Sequence, residues 1–353
     1  MLRNLAANKT FGNQLILSNV FLSNVFVRNA VADLAARICL KRIVGFIQPS
    51  PPSPMSQEEP RCKLRRGNNM PLPSLELHSA ADRPSIASIM ARVLIGTSGW
   101  HYTSWRGPFF PADLPLKNQL QYYASQFQTT ELNGVFYRTP SLDAVKAWRS
   151  QTGKDFVFTW KASKFITHWK KLSDNSANSL ALIEERLAIL GEKAGPVLFQ
   201  LPPNFEADAD RLLSFFKLLS KQRRYSVEFR HPSWYQPDIL RILSQKNAAL
   251  CLSDHHDAPA PWKRTADFVY IRGHGPGGQY RDHYQGPTLS RWAARIKSWK
   301  KHGYDVFVFF DNDQKSAAPA DALKLKRLLD PAVSRRTADR DKSRAGAGKG
   351  RRA

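Results

Sequence analysis

The stretch Tyr225-Ser-Val-Glu-Phe-Arg-His-Pro-Ser-Trp234 runs from a short β-patterned segment into a turn, and it carries an acid, a guanidinium and an imidazole within four residues. Because side chains two apart in a strand lie on the same face, Glu228 and Arg230 are predicted to point to one side and Val227 and Phe229 to the other. In a parallel barrel the C-terminal ends of the strands hold the active site. The stretch therefore predicts the end of a barrel strand that faces a functional site.

Similar strand and helix units precede and follow this stretch. Short apolar runs predict strands at residues 93–97, 129–133, 156–161, 197–200, 225–229, 249–253, 268–272 and 305–310. Apolar residues at helical spacing predict helices at residues 117–127, 141–151, 176–191, 208–221, 238–245, 290–301 and 320–329. Eight strands and about as many helices in roughly 240 residues predict an α/β protein with a single (β/α)8 TIM barrel. An open doubly wound sheet is the alternative, which the absence of a dinucleotide-binding fingerprint disfavours.

Polar side chains at the same strand phase recur near the ends of other predicted strands. The pairs that share a face are Glu131 with Asn133, Thr159 with Lys161, Leu252 with Asp254, and Arg272 with His274. Their neighbours are predicted to face the helices or the loops, namely Leu132, Trp160, Phe229, Ser253 and Gly273. Because the ends of parallel strands meet at one face of a barrel, these polar side chains predict a polar, cationic pocket there.

Aromatic residues mark the folded part of this 353-residue chain. All nine Trp and all ten Tyr lie between Trp100 and Tyr304, and large aromatic side chains supply much of a core's buried area. Residues 1–89 hold Pro/Ser clusters without a sustained period, which predicts a disordered extension, or a mis-assigned start if Met90 is the true initiator. A targeting peptide is the alternative for this segment. Residues 90–330 are the predicted barrel, and residues 331–353 a disordered basic tail.

The chain is strongly basic, with a formal net charge of +24, of which +12 falls on residues 90–330. This balance predicts a polyanionic partner or a phosphorylated ligand, and the alternative is charge that serves solubility alone. The three cysteines, Cys39, Cys62 and Cys251, build neither a disulfide framework nor a zinc spacing. No apolar run approaches membrane-spanning length. We therefore expect a cytoplasmic protein that has no membrane partner. The sequence does not predict its oligomeric state.

Several motifs resemble one protein family. They are Ile95-Gly-Thr-Ser-Gly-Trp100 with Trp105-Arg-Gly-Pro-Phe109, Phe136-Tyr-Arg138, Lys161-Ala-Ser163 with Phe165-Ile-Thr-His168, Gly195-Pro-Val-Leu-Phe-Gln-Leu-Pro-Pro-Asn204, Glu228-Phe-Arg-His-Pro-Ser-Trp234 and Arg272-Gly-His-Gly-Pro-Gly-Gly278. Together they resemble the YecE-like proteins, a family with a domain of unknown function (number 72) and a TIM-barrel fold, over about residues 92–329. The resemblance implies the fold and no settled activity.

Two departures from the family pattern stand out. This chain has Asn133-Gly-Val-Phe136 where the resemblance implies Asn-Ser-Thr-Phe, and it has Asp311-Asn-Asp313 where the family often has Asn-Asn-Asp. The first departure removes two hydroxyls, so a site that uses them is put in doubt. The second adds a carboxylate at Asp311.

The loop Gly273-His-Gly-Pro-Gly-Gly278 predicts a phosphate site, because the loops after strands seven and eight often bind phosphate in this fold. Glycines such as Gly275 allow the positive φ values that aim successive backbone N–H groups at one anion. Arg272 and His274 would add donors, and Asn312 would reach in from strand eight. The alternative is a tight Gly/Pro turn without a ligand.

Glu131 and Glu228 are the candidate general acid and base, since they arrive from strands two and five, nearly opposite in an eight-strand ring. His231, released into the turn, and Asp254 are further catalytic candidates. The alternative is ionic bracing, in which Glu228 pairs with Arg230, and Glu131 pairs with Lys161 or Arg138.

A divalent metal is left open as a cofactor. Hard or borderline ligands converge from several strands, namely Glu131, Glu228, Asp254, His274 and Asp311. No diagnostic zinc spacing is present, and the rings of the adjacent His255 and His256 are expected to diverge if that segment is extended.

Other candidate ligand-binding residues lie at the same predicted face. Lys161 is a candidate ligand-binding residue that could form a Schiff base, the alternative being a surface or ion-paired lysine. Asn133 and Gln200 end strands two and four. The aromatic candidates for stacking a sugar or a base, or else for packing the loops, are Trp100, Trp105, Tyr137 and Trp234.

These residues predict an enzyme that acts on a phosphorylated sugar or a nucleic-acid-derived substrate at the C-terminal face of the barrel. The alternative is a non-catalytic nucleic-acid-binding protein that uses the basic barrel mouth and the tail.

Overall fold

Eight parallel strands occupy the positions that the apolar runs predict. In the computed structural model, which describes residues 91–330, they are β1 (Val93–Thr97), β2 (Thr129–Leu132), β3 (Val157–Lys161), β4 (Ala194–Gln200), β5 (Tyr225–Glu228), β6 (Ala248–Ser253), β7 (Phe268–Gly273) and β8 (Asp305–Phe310). Their order in the sheet is β1-β8-β7-β6-β5-β4-β3-β2. The two end strands approach each other where Gly99 N–H donates to Glu131 O at 2.7 Å. The sheet is therefore a nearly closed barrel, which confirms the predicted TIM-barrel fold.

Helices follow every strand but one. In the described residues they are α1 (Gln119–Gln126), α2 (Leu142–Ser150), α3 (Ala177–Leu190), α4 (Ala209–Lys217), α5 (Pro237–Gln245), α6 (Gly286–Lys301) and α7 (Ala317–Leu329). A Pro-containing connection, residues 254–267, takes the place of a helix after β6. Helix α6 begins four residues before the predicted start, because Pro287 fits the first helical turn, where no intrahelical N–H donor is needed.

The helices bury one face against the outside of the barrel, as their spacing predicts. On α3 the buried residues are Leu180, Ile183, Leu187 and Leu190. The ends are fixed by side-chain caps: the N-cap Ser141 of α2 accepts a hydrogen bond from Ala144 N–H at 3.2 Å, and Asp208 caps α4. This packing holds the strand ends, and thus the polar side chains on them, in fixed positions.

The barrel interior is apolar toward the N-terminal ends of the strands and polar toward their C-terminal ends. The inner apolar side chains belong to a separate buried cluster: Leu94, Val157, Leu198, Ala249, Cys251, Ala266, Phe268, Tyr270, Phe307 and Phe309. The same strand faces continue into the buried polar residues Glu131, Lys161, Glu228 and Arg272. The predicted strand phases of β2, β3, β5 and β7 agree with this arrangement.

The predicted phase of β6 is wrong by one residue. Ala249 and Cys251 face the interior, so Ser253 also points inward, and its Oγ donates to Glu228 Oε1 at 3.1 Å. Leu252 instead packs in the core beneath the helices. The polarity of Asp254 is a misleading guide to the phase, because that residue lies beyond the end of the strand and is placed by the loop.

The described residues contain no helix that is long and apolar enough to span a bilayer. The predicted extension at 1–89 and the predicted basic tail at 331–353 lie outside the described residues.

Candidate functional site

The guanidinium of Arg272, fully buried at the end of β7, is surrounded by three carboxylates. Its Nη1 lies 2.7 Å from Glu228 Oε2, and its Nη2 lies 2.9 Å from Glu131 Oε1 and 2.7 Å from Asp311 Oδ2. Burial alone would lower the pKa of Arg272, but the carboxylates outweigh it and raise that pKa. The cation is permanently charged and fully compensated, so it is not free to bind a phosphate.

Glu131 and Glu228 are both held from more than one side. Glu228 Oε1 also accepts from Arg230 Nε at 2.6 Å, which confirms the predicted ion pair. Burial would raise the pKa of Glu228, yet Arg230 and Arg272 hold it well below its usual range. Glu131 accepts from Tyr270 OH at 2.7 Å and from the Ser98 hydroxyl. The predicted bracing of Glu131 by Lys161 or Arg138 is wrong, because Arg272 reaches it first.

His274 lies between the two arginines as a neutral acceptor. Its Nε2 is 3.1 Å from Arg230 Nη2 and 3.2 Å from Arg272 Nη1. Burial first, and then the arginine charges, hold the pKa of His274 well below its usual range. Its Nε2 lone pair is thus occupied by guanidinium donors, so the predicted role of His274 as a phosphate donor does not fit.

Asp254 is the carboxyl group suited to proton transfer. Its Oδ1 accepts from His274 N–H at 2.7 Å, and Tyr284 OH donates to Oδ2. Burial raises the pKa of Asp254 to about 6, although these hydrogen bonds oppose the shift. The side chain keeps 31% of its accessible surface. A partly exposed carboxyl group with this pKa can give or take a proton near neutral pH.

Lys161 is a buried ammonium group that forms no ion pair within residues 91–330, although Asp311, Glu131 and Glu228 act on it from a greater distance. It is 6% exposed, its Nζ donates to Asn133 Oδ1 at 3.2 Å, and it lies over the Phe136 ring at 4.5 Å. No carboxylate oxygen within 4 Å pairs with it among residues 91–330. Burial, and then the charge of Arg272, lower the pKa of Lys161 to about 8. Lys161 is therefore still protonated at neutral pH, and its buried charge lowers the stability of the fold.

The glycine-rich loop uses its own amides and does not present them to a ligand. His274 N–H donates to Asp254, Gly275 N–H donates to Tyr284 OH at 2.8 Å, and Gly278 N–H donates to Gly275 O at 2.8 Å. Gly275 has φ +94°, and a Cβ there would lie 2.0 Å from Arg281 O. The glycine is thus required for loop packing, which corrects its predicted role in a phosphate nest.

The side-chain amides of Asn312 and Gln200 differ in how many hydrogen bonds they already make within the protein. The buried Asn312 donates from Nδ2 to Asp282 O at 2.7 Å and to Asp321 Oδ2 at 2.9 Å, so it ties a loop to α7 and does not reach into the mouth. Gln200 is 9% exposed, and within residues 91–330 its side-chain amide makes one hydrogen bond, from Nε2 to Leu201 O at 3.5 Å. Gln200 keeps its amide for a ligand.

His231 and two of the aromatic candidates serve the loops. His231 Nδ1 lies 2.8 Å from Ser233 Oγ and caps the turn that follows β5. Trp234 is fully buried, stacks on Phe229 at 4.7 Å, and donates from Nε1 to Phe205 O. Trp105 is buried as well. Packing thus accounts for Trp234 and Trp105, and capping occupies Nδ1 of His231, whose catalytic role stays a prediction.

A cavity of about 610 Å³ opens between the loops after β1 and β2. Its walls include Trp100, Tyr102, Asn133, Tyr137, Arg138 and Trp148. The predicted ligand residues Trp100, Asn133 and Tyr137 thus lie together, beside the polar interior.

The rings of His255 and His256 do not diverge. They lie 4.4 Å apart in a turn, and Asp257 adds a carboxylate to the pair. The expected divergence requires an extended backbone, but β6 ends at Ser253, two residues before His255. Among the described residues this is the group of three side chains whose donor atoms lie close enough to suggest a metal.

The sequence did not reveal five hydroxyl-bearing residues of the site, namely Ser98, Ser253, Tyr270, Tyr280 and Tyr284. The strand phase of β7 carries a signal for Tyr270, since it lies two residues before Arg272. The loop tyrosines have no such signal.

The comparisons with known proteins agree on one family. The family model described as "Protein of unknown function DUF72" matches residues 94–344. The UPF0759 protein YunF of Bacillus subtilis is 24% identical over 270 residues, which cover 67% of this chain and 95% of YunF. YecE of Escherichia coli K12 is 28% identical over 144 residues, or 40% of this chain and 50% of YecE.

A crystal structure of a DUF72 family protein from Thermotoga maritima has a TM-score of 0.61 and 25% identity, and the match covers 67% of this chain and 99% of that one. A second, from Enterococcus faecalis, has a TM-score of 0.58 at 19% identity over 67% and 95% of the two chains, and shows the fold. With its barrel, its strand-end motifs and the family model in agreement, the chain belongs to the DUF72 family.

Proposed function

We propose that this protein is an enzyme that acts on a phosphorylated sugar or a nucleic-acid-derived substrate at the C-terminal mouth of its barrel. The observation that carries the proposal is the buried Lys161 ammonium, which has an amide oxygen and an aromatic ring beside it and no carboxylate partner among the described residues. A buried charge without a counter-ion destabilises a fold. Asp311, Glu131 and Glu228 are near enough to raise the pKa of Lys161 but form no ion pair with it among residues 91–330, so a bound phosphate would supply a directly contacting counter-ion.

The other polar groups have one of two roles: some hold the site in place, and one transfers a proton. Glu131 and Glu228 are saturated by Arg272 and hold the inner wall rigid. Asp254, with its pKa raised to about 6, is the group that transfers a proton to or from the substrate. Arg230 and Gln200, 4% and 9% exposed, complete the polar lining.

The test is a thermal-shift and calorimetric screen of phosphorylated metabolites and mononucleotides, with turnover followed for each ligand that binds. Lys161→Met should abolish binding, and Asp254→Asn should keep binding but lose turnover. The exposed variant Arg327→Ala, at the opposite end of the barrel, is the matched control. Binding that is unchanged in Lys161→Met contradicts the proposal.

Nucleic-acid binding without catalysis is a second candidate, which one surface feature favours. The three exposed aromatic rings of the described residues, Tyr137, Trp169 and Tyr280, lie in the segments that follow β2, β3 and β7 at the C-terminal face. Exposed rings among cationic side chains stack on bases of single strands. The basic tail would add phosphate contacts.

A divalent metal remains part of the proposal, at a place other than the predicted one. Arg272 occupies the centre of the predicted carboxylate ligands. We place a metal instead at His255, His256 and Asp257, where His256 Nδ1 is held by Gly278 O at 3.1 Å. That hydrogen bond leaves Nε2 as the ligand atom. The test is elemental analysis of the parent and of His256→Ala, each purified with and without added zinc or manganese. The parent should retain the metal, and His256→Ala should lose it.

A further inference from the structure

We propose that the cavity between the loops after β1 and β2 binds the ring of a substrate in which a ring is joined to a phosphate. The inference rests on the proposed function, because it assigns a subsite to the same substrate. The cavity volume of about 610 Å³ lies within the range of pockets that enclose a small ligand.

The cavity has aromatic walls. Trp100 packs edge-on against Trp148, with ring centroids 5.6 Å apart. Tyr137 contacts the ring of Phe136 edge-on at 4.9 Å and is 76% exposed, so most of its surface is open to a ligand. Such rings offer flat apolar faces on which a base or a sugar can stack.

Arg138 supplies the one formal charge among the residues that line the cavity. No Asp or Glu is among its lining residues, whereas Arg138 and His101 are. Both side chains are exposed, and within residues 91–330 neither makes a side-chain hydrogen bond or ion pair. A guanidinium free of carboxylates keeps all its donors for an anion, in contrast to the saturated Arg272.

Asn133 connects this cavity to the buried ammonium group. Its side chain lines the cavity, and its Oδ1 accepts from Lys161 Nζ at 3.2 Å. A ligand with its ring between Trp100 and Tyr137 therefore has Arg138 at the rim and Lys161 one hydrogen bond beyond the wall. A nucleotide and a sugar phosphate share this chemistry.

Calorimetric titrations with adenosine 5′-monophosphate, ribose 5-phosphate and inorganic phosphate test the assignment. Trp100→Leu should weaken binding of the adenosine nucleotide about tenfold and leave inorganic phosphate within about twofold. Arg138→Ala should weaken all three probes about five- to tenfold, and Arg327→Ala should change none by more than about twofold.

The outcomes separate the two proposals and the two ligand types. If ribose 5-phosphate binds as tightly as the nucleotide and loses as much in Trp100→Leu, the ring that the cavity holds is a sugar. If the parent binds phosphate through Lys161 but neither Trp100→Leu nor Arg138→Ala alters ring-dependent affinity, the cavity assignment is wrong and the proposed function stands. If no probe binds the parent, both are wrong.

Discussion

Arg272 and Glu228 form a fully buried ion pair, with Nη1 of the arginine 2.7 Å from Oε2 of the glutamate. The same guanidinium also contacts Glu131 and Asp311, so one cation pairs with three carboxylates that reach it from β2, β5 and the end of β8. Arg230 adds a second cation at Glu228. The cluster lies at the polar end of the barrel interior, and the ligand site proposed above uses Lys161, Asp254 and Gln200 instead of Arg272.

Arg272→Met should destabilise the barrel by about 3 to 5 kcal/mol at pH 7, because three buried carboxylates lose their cation. Arg272 lowers the pKa of both Glu228 and Asp311. Without Arg272 these two pKa values rise, so the deficit should shrink as pH falls from 7 to 5 and the two carboxylates take up protons. Urea unfolding at both pH values measures this difference. Arg241→Met, which removes an exposed arginine paired with Asp238, should stay within about 0.5 kcal/mol. A deficit of equal size at pH 5 and pH 7 would argue against the ionic cause.

Lys161→Met should stabilise the ligand-free protein. The pKa of Lys161 is lowered from 10.5 to about 8, so keeping it charged in the fold costs roughly 3 kcal/mol. This cost is fully present below pH 8 and disappears as pH rises from 8 toward 10.5. We therefore expect a gain of about 1 to 3 kcal/mol at pH 7 that declines above pH 8, measured by urea unfolding. A variant less stable than the parent at pH 7 would mean that Lys161 is structural.

The affinity for a phosphate monoester should follow a bell-shaped pH profile. It should rise through about pH 6, where the phosphate gains its second charge, and fall through about pH 8, where Lys161 loses its proton. Lys161→Arg should retain affinity above pH 8, because an arginine does not titrate there. Calorimetry from pH 5 to pH 9 tests both limbs. If affinity still falls above pH 8 in Lys161→Arg, a group other than Lys161 causes that fall.

Gly275→Ala should cost about 2 kcal/mol or more, since the residue has φ +94° and an added Cβ would lie 2.0 Å from Arg281 O. Gly277→Ala is the matched control in the same loop, because nothing lies within 4 Å of its Cβ position and its φ is not positive. It should stay within about 0.5 kcal/mol. Thermal unfolding of the two variants measures the contrast, and equal losses would contradict the packing role assigned to Gly275.

The fold can be predicted from the sequence because each strand and helix carries its own periodicity. Alternation alone places Arg272 and Glu228 on the inner face. Their pairing is not predictable, since which side chains meet inside a barrel depends on strand tilt and stagger, which no local pattern records. Ser253 escapes prediction because small residues on both faces of β6 hide its phase. The role of His231 is not decided by the sequence, because a local cap and a catalytic imidazole look alike there.

The salt dependence of binding separates an enzyme from a nucleic-acid-binding protein. If the barrel binds single strands, affinity for an oligonucleotide should fall steeply with salt, with a slope set by the number of phosphates contacted. Tyr280→Ala should then weaken binding at every salt concentration without changing the slope, because its exposed ring stacks and carries no charge. Removal of residues 331–353, which contain eight Lys and Arg, should reduce the slope. Fluorescence anisotropy of a labelled oligonucleotide from about 50 to about 300 mM salt, a range that brackets physiological ionic strength, measures both effects. The opposite outcome is that a mononucleotide binds independently of salt, and that oligonucleotide binding is weak and unchanged by either alteration. That outcome would contradict the nucleic-acid-binding function and favour the enzyme.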